Sequence, residues 1–397
     1  MSTHTKKQAL PIFGVFFLES AVFGQWIPRI PDIQEGLGLT TTDLGLALLT
    51  LPLGTLFGFL VAARVIERMG LRRACQLFLP LWAMLFMGPA LARNFSELIV
   101  ALIVCGMAIG MIETAMNTEA AHIEKALGQR LMSRCHGFWS LGTMAGALLS
   151  GAIAQAGVSI ASHFLIVLPI LALAGYAVAS QLPVTKENTD SIEDRNAKKA
   201  KGKPGWFQLP PRSLLLLCVM PLGVMMVEGA FIDWSAVFMK QVMAADPWLI
   251  AVTYSFFSVV MAIVRLSGDA IASRYGDKLV IRVSGLAASV GIAMFSLAPD
   301  TAWAFAASAL AGAGVAIVFP LAVSAAANRP GRSSAGNVAA LNMIAFTAFL
   351  IAPPFIGILS DFIGLRYALL LLAPIAFTSC LLAGEVTAES DFNQVVR

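Results

Sequence analysis

The sequence predicts an all-α membrane protein, with twelve transmembrane helices in two pseudo-symmetric six-helix bundles. Three observations carry the prediction. First, the 397 residues are 58% hydrophobic and only 13% charged, with a mean hydropathy of +0.80; a soluble domain has about 45–50% apolar and about 25% charged residues. Second, apolar runs of the roughly 20 residues that a membrane-crossing helix needs recur along the chain. Third, these runs fall into two sets of six around one long polar stretch, and short motifs repeat between the sets.

The first six runs lie near 9–29, 43–63, 74–92, 96–120, 133–156 and 163–182, making 1–182 an N-terminal bundle. Six more lie near 213–238, 249–272, 279–298, 301–325, 335–358 and 366–384, making 213–397 a C-terminal bundle. Residues 183–212 between them carry Lys186, Lys198, Lys199, Lys201 and Lys203 with Pro and Gly, and read as a cytoplasmic linker. Lys6 and Lys7 ahead of an apolar run imitate a signal peptide. Glu19, Gln25 and the lack of an A-x-A-like site make that run an uncleaved first span instead. Pro320, Pro353 and Pro354 predict kinks in spans 10 and 11, because proline removes a backbone donor. Gly142, Gly146, Ser150 and Gly151 on span 5 predict close helix packing.

Charge sets the orientation. With the N-terminus inside, 22 of the 27 Lys and Arg fall in inside loops and tails. Four (Arg29, Arg93, Lys240 and Arg366) fall outside, and Arg265 lies within a span. The positive-inside rule then puts both termini in the cytoplasm. The same distribution accounts for the net charge of +4 as a topology signal and excludes nucleic acid as the partner. The five cysteines (Cys75, Cys105, Cys135, Cys218 and Cys380) show neither CxxC nor Cys/His spacing, so no metal, cofactor or disulfide framework is expected. They read as small core hydrophobes.

Ionisable residues inside spans are costly and mark function by default. The chain places Glu19 on span 1, Glu113 and Glu119 on span 4, and His136 on span 5. Glu228 and Asp233 fall on span 7, and Arg265 and Asp269 on span 8. Glu113 and Asn117, four apart in Glu113-Thr114-Ala115-Met116-Asn117, share one helical face; a structural hydrogen-bonding pair is the bland alternative. Glu19 through Trp26 and Glu228 through Trp234 repeat the same order, one residue shorter, at equivalent places in the two halves. The turns Glu67-Arg68-Met69-Gly70-Leu71-Arg72-Arg73, Ser273-Arg274-Tyr275-Gly276-Asp277-Lys278 and Asp361-Phe362-Ile363-Gly364-Leu365-Arg366 also repeat. In each, glycine permits a tight reversal and the charges can pair across helix ends.

These hairpins resemble the signature of the major facilitator superfamily, roughly G-x-x-x-D-R-x-G-R-R, matched from Ala63 to Arg73 with Ala63 for the leading Gly and Glu67 for Asp. The resemblance covers nearly the whole chain and implies the major facilitator fold. Glu113-Thr-Ala-Met-Asn117 resembles the E-T-A-x-N run of proton-coupled fucose permeases, in which this Glu and an acidic residue on helix 1, here Glu19, serve proton coupling and sugar binding. Glu228-Gly-Ala-x-x-Asp233-Trp234-Ser235 and Ser133-x-x-His136-Gly137-x-x-Ser140-Leu141-Gly142 are similar to a bacterial branch that includes the rhizopine-transport protein MosC. That likeness implies an aminocyclitol or other polyol cargo, and a multi-pass place in the bacterial inner membrane.

The expected function is therefore a proton-coupled secondary transporter, working as a monomer in the bilayer on a small polar solute (a sugar, polyol or aminocyclitol) by alternating access. Glu19 and Glu113 are expected to carry the proton, with Arg265 as partner or competing charge. Arg265 and Asp269, four apart, can equally form an internal helix pair. Trp26, Asn117, His136, Trp139, Glu228, Asp233, Trp234 and Asn342 are the expected cargo-binding residues. For Trp26 and Trp234 an interfacial belt competes with a stacking face, and for His136 a packing or capping role competes with a proton relay. Glu67, Gly70, Arg72, Arg73, Asp269, Arg274, Gly276 and Asp361 are the expected gating hairpin residues. Glu119 and Glu124 read as interfacial and solvated. An enzyme is not expected: HExxH, GxSxG, paired Cys/His and the GxxxxGK[ST] nucleotide loop are all missing. A transporter-like sensor would carry a further soluble domain, for which the dozen or so residues after about 384 read as too few. The competing reading is a multidrug/proton antiporter with an apolar, methionine-lined pocket, for which Met225, Met226 and Met261 are the candidates.

Overall fold

The computed structural model describes residues 3–128, 131–183, 212–329 and 334–386, and the regular structure among them is entirely helical. Among the described residues, twelve units are long and apolar enough to cross a membrane. They are α1 (Ala9–Leu37), α2 (Thr41–Met69), α3 (Leu71–Leu91), α4 (Phe95–Leu127), α5 (Met132–Gln155) and α6 (Ile160–Ala179). After residues 184–211, which lie outside the described residues, come α7 (Leu214–Gln241), α8 (Pro247–Gly268, its helix running on to Tyr275) and α9 (Asp277–Ser296). The chain continues through α10 (Thr301–Ala327), α11 (Gly336–Ile363) and α12 (Leu365–Val386).

Small residues decide how closely these helices approach, because helices in lipid associate by backbone packing rather than by burying apolar area. α5 lies on α1 through the stripe read from its sequence: a Cβ on Gly142 would stand 2.1 Å from the Phe17 carbonyl oxygen, and one on Gly146 2.3 Å from that of Ala21. The two six-helix halves meet along α5 with α8 and along α2 with α11. The three repeated turns share one backbone shape, with Gly70 at φ +82°, Gly276 at φ +79° and Gly364 at φ +82°. A side chain at such a φ is strained, so glycine is required there. Gly157, at φ +77°, serves the α5–α6 turn in the same region of φ.

Two elements differ from their expected form. α1 does not stop near residue 29. It passes through a 3₁₀ turn at Ile27–Arg29 and continues to Leu37, since Pro28 and Pro31 fall in first turns, where a missing N–H leaves no bond unmade. α4 runs to Leu127 rather than 120, so Glu119 is fully buried instead of interfacial. Glu124 is likewise committed, accepting from the backbone N–H groups of Leu131 and Met132 at the start of α5. α10 breaks between Val315 and Val318, one turn before Pro320, whereas α11 stays helical through Pro353 and Pro354.

Candidate functional site

The break in α10 follows from Pro320. Its nitrogen has no hydrogen, so the carbonyl of Ala316, four residues earlier, loses its helical partner. A freed carbonyl at this depth needs another donor, and Arg265 of α8 supplies one: its Nε reaches the Ala316 oxygen at 3.4 Å, a long bond. The rest of the guanidinium spans two elements. Its Nη2 bonds Glu228 of α7 at 2.9 Å, and its Nη1 donates to the Ser140 hydroxyl of α5 at 3.2 Å. Ser258, two turns from Arg265 on α8, donates to the Ser140 carbonyl at 2.7 Å. Ser140 is thus held from the opposite half by two side chains.

Its neighbour Trp139 donates its indole N–H to the Glu19 carboxylate at 2.8 Å. Glu19 is only 2% exposed, and its helix α1 packs against α4, which carries Glu113. A run of polar contacts thus leads from Glu19 through Trp139 and the adjacent Ser140 to Arg265 and Glu228. The structure therefore pairs Arg265 with Glu228, not with Glu19 or Glu113. The side chain of Asp269, the other expected partner, lies outside the described residues.

The remaining predicted binding residues divide. Asn117 shares a face with Glu113 but donates to the Glu113 backbone carbonyl at 2.9 Å, not to its carboxylate. Thr114 and Thr118 back-bond in the same way, to Gly110 and Thr114. Asp233 is half-buried, and no side-chain bond or ion pair is assigned to it. It lies seven residues before Lys240 on α7, hence on the same helical face. His136 is exposed, one turn from Trp139, with its ring edge against Phe16 at 5.6 Å; Asn342 is exposed on α11. Trp26 and Trp234 are corrections to both sequence readings. At 1% and 0% exposed, they form neither an interfacial belt nor an open stacking face. Trp26 packs on Phe86 at 5.6 Å and Trp234 lies against Gly357, because helices 1 and 7 are enclosed where those rings emerge.

The hairpin residues have local and long-range roles. Arg72 donates to the Ser180 carbonyl at the end of α6, and Arg274 stacks over the neighbouring Tyr275 ring at 5.4 Å. Glu67 and Arg73 are exposed. Asp361 does not pair within its own turn. It accepts from the Thr41 hydroxyl and from Thr42 N–H, both at the start of α2 in the other half.

That contact belongs to a clasp the sequence reading missed, at the end of the protein away from the linker. Lys240 of α7 bonds Glu35 at 2.7 Å and Asp32 at 3.5 Å, while Gln241 donates to Gln34 at 2.9 Å. Arg29, 3% exposed, holds Asp32 in place at 2.8 Å and also donates to the Val158 carbonyl. Trp248 N–H on α8 donates to Gln155 on α5. Of these residues the sequence singles out only Arg29 and Lys240, as outside charges, because the first apolar run ends near Arg29. Also missed was His163 of α6, 1% exposed, whose Nε2 meets Gln25 at 2.9 Å; an ionisable residue inside span 6 was the available signal. Among the described residues no group of three His, Cys, Asp or Glu is placed to hold a metal ion.

Comparison with known proteins places this geometry. Residues 12–349 match the family described as Major Facilitator Superfamily. A transporter of Sinorhizobium fredii, y4wD, is 29% identical over 352 residues, 88% of this chain and 90% of the relative. The membrane protein MosC of Rhizobium meliloti is 26% identical over 359 residues, covering 89% of this chain and 84% of MosC. Among solved structures, a D-xylose-proton symporter superposes with a TM-score of 0.73 at 11% identity, over 96% of this chain and 97% of the symporter. The nucleoside transporter NupG gives a TM-score of 0.68 at 14% identity, over 96% and 98%. At those identities the two structures bear on fold alone.

Proposed function

We propose, for a chain that belongs to the Major Facilitator Superfamily, a proton-coupled secondary transporter that moves a small polar solute by alternating access. The observation that carries this reading is an excess of acid within the spans. Glu228 has its Arg265 counter-charge, whereas Glu19 has only an indole N–H, and Glu113 and Asp233 form no ion pair among the described residues. Carboxylates held inside a membrane protein without a cation mark proton or cargo pathways. The mixture of carboxylate, indole, hydroxyl and guanidinium groups suits a hydroxylated ring, with a sugar, polyol or aminocyclitol such as a rhizopine as cargo.

The reading extends to topology. Residues 1–182 and 213–397 act as the two rocking bundles around the 183–212 linker, in a monomer of the bacterial inner membrane with both termini cytoplasmic. Lys240, Asp32, Glu35, Thr41 and Asp361 then close the outer end. The drug-exporter reading has less support, since Met225, Met226 and Met261 are all buried. The membrane-enzyme reading has less still, the relatives being named as transporters.

The test is solute uptake into vesicles under an imposed pH gradient. Candidate solutes come from a thermal-shift screen of sugars, cyclitols, aminocyclitols and lipophilic cations. Glu19→Gln and Glu113→Gln should each abolish the pH-driven component; uptake with unchanged proton dependence in both variants would sink the proposal.

A further inference from the structure

Glu19 and Trp139 meet through a single bond, the indole N–H to the carboxylate at 2.8 Å. A hydrogen bond to a charged acceptor is about twice as strong as a neutral one, so its strength depends on whether Glu19 holds a proton. The surroundings of Glu19 leave that charge little other company. From α4, which packs against α1, Glu113 brings a second acid and no counter-charge. From α3, Trp82 donates to the Glu19 backbone carbonyl at 3.3 Å and not to the carboxylate. From α5, His136 sits a turn away with its ring on Phe16. Arg265 of α8 is occupied by Glu228, Ser140 and Ala316.

On the far side of the ring the consequences differ. Trp139 is half-buried, flanked by Phe23 at 6.5 Å and a 41° tilt, a loose contact that permits movement. The residue after it is Ser140, to which the opposite half is tied by Arg265 and Ser258. The two residues are joined by one peptide unit, so displacement of the indole bears directly on the bonds that cross between the halves.

We propose that Trp139 is a positioning residue that couples proton occupancy of Glu19 to the inter-bundle contact at Ser140. The charged carboxylate holds the indole in place. A proton on Glu19 weakens that hold, and the Trp139–Ser140 segment shifts against Arg265 and Glu228. The inference rests on the reading of Glu19 as a proton carrier, and it adds the element through which the proton acts.

The experiment is fluorine NMR of the full-length protein labelled with 5-fluorotryptophan in lipid nanodiscs. Loss of one line in Trp139→Phe assigns its resonance. In the wild type that line moves as pH is lowered from neutral to acid, while the Trp82 line, bonded only to a backbone carbonyl, stays still. In Glu19→Gln the Trp139 line rests at its acid-limit position at every pH. Glu19→Asp, which keeps a titratable group at the site, restores a pH-dependent line and covers the case in which the Gln variant does not fold. A Trp139 line that ignores pH in the wild type overturns the proposal. So does one that titrates identically in Glu19→Gln, or that moves only together with Trp82. Uptake under a pH gradient is scored separately: a flat line alongside pH-driven uptake defeats this inference alone, whereas a moving line without pH-driven uptake defeats the proton-coupling reading and leaves the contact standing.

Discussion

Arg265 on α8 closes an ion pair with Glu228 on α7 at 2.9 Å, with only 15% and 12% of the two side chains exposed. The same guanidinium reaches Ser140 in the other half. A pair this enclosed is conditional, because removing one member strands the other's charge in a medium that solvates it poorly. Arg265→Ala should therefore destabilise the protein by about 3–5 kcal/mol, and Glu228→Gln by a comparable amount. The double variant should be more stable than the sum of the two losses implies. A thermal-unfolding cycle in one detergent measures the coupling; strictly additive losses would show that the pair is incidental.

The seam between α2 and α11 admits almost nothing more. A Cβ on Gly45 would stand 2.6 Å from the Pro353 carbonyl oxygen and 3.2 Å from the Gly357 Cα, and both obstacles are backbone. Overpacking of this kind costs about 1–3 kcal/mol, and each 1.4 kcal/mol is about a tenfold change in an equilibrium. Gly45→Ala should thus disfavour the conformation described here and populate one with that seam parted. Spin labels at Leu39 and Met243 would read the change as a longer distance. An unchanged distance distribution would mean that the seam does not separate during the cycle.

The Lys240 clasp should behave differently. Its partner Glu35 is 59% exposed, and exposed ion pairs contribute only about 0.2–1 kcal/mol. Lys240→Gln should shift the conformational balance by no more than about fivefold, less at high salt. The reversed pair Lys240→Glu with Glu35→Lys should recover part of that shift. The same spin-label pair measures both, and a loss of transport as complete as that expected of Glu113→Gln would show that the clasp does more than close an end.

Pro320 offers a test that leaves every charge in place. Pro320→Ala returns an N–H that can bond the Ala316 carbonyl within α10, competing with the long 3.4 Å bond from Arg265. Hydrogen exchange at residues 316–320 should slow and transport should fall, with the fold intact. Unaltered exchange there would show that the break in α10 has another origin.

The helices and their count were legible because each span carries its own signal. Twenty or so apolar residues must form a helix in lipid whatever their neighbours, and glycines such as Gly70, Gly276 and Gly364 declare turns through their own backbone freedom. The acidic residues were legible for a similar reason: Glu19, Glu113, Glu228 and Asp233 are out of place in hydrocarbon and stand out without any knowledge of contacts.

What each of them touches was decided only by the tertiary structure. Arg265 had two plausible kinds of partner in the sequence, Asp269 on its own helix or the carboxylates of helices 1 and 4, and the fold gave it Glu228, Ser140 and a carbonyl freed by a proline on a third helix. Trp26 and Trp234 kept their repeat but lost their assigned role, since whether an indole faces lipid, water or protein depends on which helix lies opposite. Asp361 looked like a hairpin charge and became a bond between halves. Sequence spacing reports the face of a single helix, whereas a membrane protein's polar contacts are set by how neighbouring helices are rotated and tilted, and that is a property of the packed bundle.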